Sequence, residues 1–195
     1  MKRTGCYALT SNFVALERHV ILVSAANLQR DLLRIFLDTE FTDLRYPRLI
    51  SFGLVSEAGL EFYAELSDGW RTDMCSDFVV SSVLTCLDRS AACTMSRADA
   101  AIRSAHWFSQ LGSEISIVSD VPLDWLLLSD LLQVNSIGGI ALTHQVLAWP
   151  GAALARHCQL ILEETLGGDA KRHHALVDAR ALRHAVVQTE SDFRK

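Results

Sequence analysis

Proline is scarce in this chain, 3 residues in 195, so no proline-rich linker or collagen-like tract divides it. Its five cysteines, Cys6, Cys75, Cys86, Cys93 and Cys158, contain no C-x-x-C pair. That pattern suggests neither a disulfide framework nor a zinc ribbon, and a reducing cytoplasm is the expected compartment. No apolar run reaches the ~20 residues that cross a bilayer. The N-terminal patch "HVILVSAA" follows Glu17, Arg18 and His19, which interrupt the apolar region a secretory signal requires. Basic residues are outnumbered, 18 Lys and Arg against 23 Asp and Glu, for a net charge of -5. A protein that coats nucleic acid by phosphate neutralisation alone is thereby disfavoured, whereas an enzyme that meets phosphate through bound cations is not. Neither G-x-x-x-x-G-K nor G-x-S-x-G occurs, so P-loop and nucleophile-elbow chemistry are absent.

What remains is a globular composition, 50% hydrophobic and 21% charged, of a size for one domain. Residues 1–33 show no clear period and read as an N-terminal extension, and translation is expected to start near Leu33. The folded domain is expected over 34–190, with 191–195 as a tail. "RIFLDTEF" reads as a buried strand, because Ile35, Phe36 and Leu37 are consecutive and apolar. "LISFGLVS" and "LEFYAEL" follow across a turn at Gly59, giving an antiparallel meander. A helix is expected over "DFVVSSVLTCL", from Asp77, and another from the N-cap Ser96 to a stop at Gly112. "EISIVS" is a strand, and a helix starts at Pro122. "IGGIALT" can supply a last strand; helices follow from Ala152 to Thr165, stopped by Gly167 and Gly168, and from near His174 past Val186. Strands followed by alternating helices and strands predict an α/β fold with a mixed sheet flanked on both faces.

The chemistry concentrates in acids at apolar places. Residues i and i+2 of a strand share a face about 7 Å apart, so Asp38 and Glu40 converge at the end of a strand with an apolar interior. Asp124 continues the face formed by Leu127, Leu128 and Leu131. It could equally favour the helix dipole from the first turn, with Asp120 as N-cap. Asp178 borders the stripe Ala175, Ala179, Leu182 and Val186, unless it pairs with an arginine. Several buried carboxylates cost several kcal/mol each without compensation. Hard divalent cations supply it, and an oxygen-only ligand set selects Mg²⁺ or Mn²⁺ over zinc.

The combination Asp38-Thr39-Glu40, then Asp124 heading a helix, then His173 five residues before Asp178, resembles the DEDDh branch of the DEDD superfamily of 3′ to 5′ exonucleases. The resemblance covers about residues 34–187. Within that family it is most similar to the bacterial exoribonuclease group that includes the polyadenylate-specific ribonuclease RNase AS, with "CSDFV" as a further similarity. Ser119-Asp120 departs from it, standing where much of the superfamily has an Asn. The resemblance implies a ribonuclease H-like fold built on a mixed five-stranded sheet. It also implies two Mg²⁺ or Mn²⁺ ions held by Asp38, Glu40, Asp124 and Asp178, with His173 taking the proton of the attacking water. The implied substrate is the 3′ end of single-stranded RNA, released as nucleoside 5′-monophosphates. Phe41 could stack on the terminal base and the backbone near Thr42 could contact its sugar. A homodimer is a further expectation. Single-stranded DNA as substrate, an inert nucleic-acid-binding relative, and an unrelated α/β protein whose acids form ion pairs are the alternatives.

Overall fold

A computed structural model of the chain describes residues 32–133, 136–137, 139–167 and 172–194. The expected extension before residue 32, Gly168 and Lys195 lie outside them. The central strand β1, Leu33–Phe41, is apolar on both faces because helices cover both. Ile35 and Leu37 enter one core with Phe108 and Leu128, while Phe36 enters another with Leu182, Ala185 and Val186. β1 pairs antiparallel with β2, Leu49–Ser56, and β2 with β3, Glu61–Leu66, forming the expected meander. On its other side β1 runs parallel to β5, Glu114–Ser119, and β5 parallel to β7, Ile140–Val146. These five are the long strands of the mixed sheet. Two-residue strands at the edges, β4 (Thr94–Met95) and β6 (Ser136–Ile137), extend it to the order β4-β3-β2-β1-β5-β7-β6 among the described residues.

Helices α1 (Arg97–Ser109) and α2 (Pro122–Leu132) line the first core. The second face carries α3 (Ala152–Gly167) and α4 (Ala175–Phe193), the latter running three residues into the expected tail. Ser96 caps α1 as expected, its side chain accepting from the Asp99 N–H. The segment expected to be a regular helix from Asp77 is a π-helical turn at Val79–Val83. Leu84 N–H bonds to the Val79 carbonyl, and the Ser81 and Thr85 hydroxyls bond back to carbonyls in the preceding turn. The i→i+5 bond makes this turn wider than an α-helical one, and Val79, Val83 and Leu84 share a buried cluster with Ile50. No helix among the described residues is long and apolar enough to cross a membrane.

One glycine sets how closely the second face approaches the sheet. A Cβ at Gly53 would lie 2.5 Å from the Ala175 carbonyl oxygen and from Leu176 Cα, so the first turn of α4 rests directly on β2. Backbone cannot yield there as a flexible side chain would. Gly53→Ala is expected to cost about 3 kcal/mol, seen as a fall in Tm of ~10 °C; an unchanged Tm would mean that α4 stands off the sheet.

Candidate active site

Strand alternation carries Asp38 and Glu40 on the same side as Phe36, towards α4. The buried run that precedes them fixes that register. A β-bulge between Glu40 and Phe41 ends the regular pairing with β2 and bends the strand where the acids sit. Asp38 is half-buried, and Glu40 and Asp124 are buried. Asp124 comes from the first turn of α2, whose Pro122 stands at the helix start, and Thr39 donates its hydroxyl to Asp124 Oδ1 at 2.7 Å. Asp178 comes from the first turn of α4. Its Oδ2 accepts the His173 N–H at 3.2 Å, while Arg180 binds Glu61 and Arg183 binds the Ser56 and Glu57 carbonyls. The nearby Arg172 charge also acts on Asp178, lowering its pKa against the larger raising effect of burial.

The carboxylates fall into two groups whose ligand atoms lie within 4.8 Å of one another. One joins Asp38, Asp120 and Asp124; the other joins Glu40, Asp178 and the His173 ring. All five residues expected at the site thus come together, from one strand, two helices and the turn before α4. Asp120 is the residue that sequence reasoning missed. Instead of capping α2, whose N-cap is Val121 without a side-chain bond, it turns towards Asp38 and Asp124. The only signal was its place in "SDVPLD", where a cap is the commoner explanation.

Crowding leaves an electrostatic mark. Burial first, then the charges of Glu40, Asp124, Asp178 and Asp120, pushes Asp38 well above the usual carboxylate range. Burial followed by Asp178 and Asp124 raises Glu40 to about 8. Burial is also the main cause for Asp124 at about 7 and Asp178 at about 6. Asp124 Oδ2 and Asp178 Oδ1 are buried without any hydrogen-bond partner. Orphaned carboxylate oxygens in two all-oxygen or oxygen-rich clusters suit a hard divalent cation, whose charge reverses the local logic of ionisation.

These folded-state pKa values lie above ordinary carboxylate values, so the metal-free protein holds protons that the unfolded chain releases. That contribution is complete below about pH 4 and is lost as pH rises through about 6, 7 and 8. Metal-free Tm is expected to fall between pH 5 and pH 8.5, and millimolar Mn²⁺ to restore it mainly at the higher pH, by about 5 °C or more. A flat metal-free profile would show the acids to be solvated.

His173 sits just before α4 in a left-handed conformation, φ 71°, which few side chains adopt. The Phe78 ring meets it edge-on at 5.0 Å. Burial, then the Arg172 guanidinium, lowers its pKa and keeps the ring neutral, able to accept a proton. Of the two residues expected at the substrate, Phe41 is half-buried against the first core. Thr42 is fully buried: its N–H donates to the Arg48 carbonyl and its hydroxyl accepts from the Arg48 N–H, so it braces the 43–48 loop. Trp125 packs on that same core and stacks on His144.

No family model and no curated protein matches this sequence. Among solved structures, the zinc ion-bound form of the E. coli ExoI–ssDNA complex is similar, with a TM-score of 0.58 at 14% identity. The alignment covers 85% of this chain but 42% of that one, so the chain spans less than half the length of the structure it resembles. The sheet order and its flanking helices are those of the ribonuclease H-like fold that the motifs implied.

Proposed function

We propose that this chain is a divalent-metal-dependent 3′ to 5′ exonuclease that removes nucleoside 5′-monophosphates from single-stranded RNA. The observation that carries the reading is the meeting of Asp38, Asp120 and Asp124 beside Glu40, Asp178 and His173 at the end of β1. Motif order and fold support it, since the same three motifs arrive from a strand and two helices as the DEDDh resemblance implies.

Asp38, Glu40, Asp124 and Asp178 would hold two Mg²⁺ or Mn²⁺ ions. Bound there, the ions supply Lewis-acid activation of water and stabilisation of charge on the phosphate and leaving oxygen. The protein's own residues do the rest. The four carboxylates come from elements locked together by two cores, which fixes their oxygens before substrate arrives. Thr39 orients Asp124. The neutral His173 ring, aimed at Glu40 and Asp178, takes the proton of the attacking water. Phe41, beside the bulge, would stack on the terminal base through the part of its ring that the first core leaves open.

Single-stranded DNA is the second reading, because the similar ExoI structure is a complex with ssDNA. The two are separated by incubating 5′-labelled single-stranded RNA and DNA of one sequence with Mg²⁺ or Mn²⁺. The RNA should shorten stepwise from its 3′ end, with EDTA stopping the reaction. Faster shortening of DNA would move the assignment to the second reading, and no cleavage of either would remove both.

A further inference from the structure

A second histidine, His174, follows His173 and has no place in the chemistry above. It is 3% exposed, and neither ring nitrogen has a hydrogen-bond partner. Its ring stacks on Tyr63 of β3 with centroids 4.4 Å apart, and Nε2 lies 3.5 Å from Asp88 Oδ2. Glu65, Asp88 and His174 have the spacing of a cation site. Glu65, however, already accepts from the Tyr63 hydroxyl, the Asp88 and Arg89 N–H groups and the Thr94 hydroxyl. With those lone pairs taken, the cluster is a brace that ties the 88–89 loop to β3.

His174 is the point where that brace meets the active site. The left-handed backbone of His173 costs free energy and persists only where its surroundings hold it. On one side Ala175 and Leu176 rest on Gly53 without room to shift. On the other, the Cys86 thiol reaches the Arg172 carbonyl at 3.4 Å. Between them, the His174 ring lies stacked against Tyr63. We propose that His174 is a positioning residue: stacked on Tyr63, it holds His173 in its left-handed conformation over Glu40 and Asp178. The inference rests on the exonuclease reading of the site. Neither ring nitrogen makes a hydrogen bond, and the 3.5 Å approach of Nε2 to Asp88 is a long contact beside the full-face stack on Tyr63, so the flat ring should carry the effect and another aromatic ring should serve.

The test compares His174→Ala, His174→Phe, His173→Ala and the double variant His173→Ala/His174→Ala on single-stranded RNA with Mn²⁺. His174→Ala should lower kcat at least about tenfold, with KM and Mn²⁺ affinity by calorimetry within about twofold of wild type. His174→Phe should recover most of that loss. The double variant should be no slower than His173→Ala, since a residue acting through His173 has nothing left to position. Multiplied losses in the double variant, or a His174→Phe enzyme as slow as His174→Ala, would overturn the proposal. So would Zn²⁺-dependent stabilisation of the wild type that His174→Phe abolishes, which would make the cluster a metal site. Should His174→Ala not fold, Tyr63→Leu removes the other half of the stack and must reproduce the kcat loss. An activity-independent measurement separates failure of this idea from failure of the exonuclease reading. Proton NMR contacts between the His173 and Phe78 rings should survive in His174→Phe and vanish in His174→Ala or Tyr63→Leu, even if no nucleic acid is cleaved.

Discussion

Asp38→Asn is expected to lower kcat by ~10³-fold or more, the loss of about 4 kcal/mol of transition-state stabilisation. The substitution keeps shape and removes one anionic oxygen, so the effect isolates charge. Asp38 is the acid to choose because Glu40, Asp120, Asp124 and Asp178 all act on it. Removing its charge relaxes every one of those repulsions at once. The metal-free variant should therefore be more stable than the wild type at pH 8 while binding Mn²⁺ more weakly, a trade of stability for function typical of charged sites. Turnover of labelled RNA, paired with thermal melts in EDTA, measures both. Retained activity, or a metal-free protein made less stable by the change, would place Asp38 outside the centre.

His173→Ala should lower kcat by ~10²–10⁴-fold and leave Mn²⁺ affinity nearly unchanged. The ring faces Glu40 and Asp178, while the oxygen donors available to a cation come from the carboxylates. Its depressed pKa keeps it neutral at pH 7, as a proton acceptor must be. Calorimetric titration with Mn²⁺ beside steady-state kinetics decides the role. A large fall in metal affinity would make His173 a ligand instead of a base. The result also has a conformational reading, since alanine at φ 71° carries the same backbone strain without a ring for Phe78 to support.

The central parts of this site were legible because they obey short periods. Asp38 and Glu40 follow an uninterrupted apolar run, so strand geometry alone puts them on one face. Asp124 and Asp178 each continue or border an apolar stripe, which marks a helix face that meets the sheet. The π-helical turn at Val79–Val83 was not legible, because an ordinary helix and a widened one share the same apolar spacing over so few residues. The two-residue strands β4 and β6 exist only through pairing with β3 and β7, which no local pattern reveals. Asp120 was obscured by a commoner role, since an acid two residues before a helical proline reads as a cap. His174 was hidden by its neighbour: the pair "HH" offers two bases for one role, and only the stack on the distant Tyr63 sets the second apart.

The most direct test is a crystal grown with Mn²⁺ and measured for anomalous scattering at the manganese edge. Peaks should stand among the oxygens of Asp38, Asp120 and Asp124 and of Glu40 and Asp178. Manganese absent from both clusters at saturating concentration, or found only elsewhere on the surface, would contradict a site assembled to hold divalent ions.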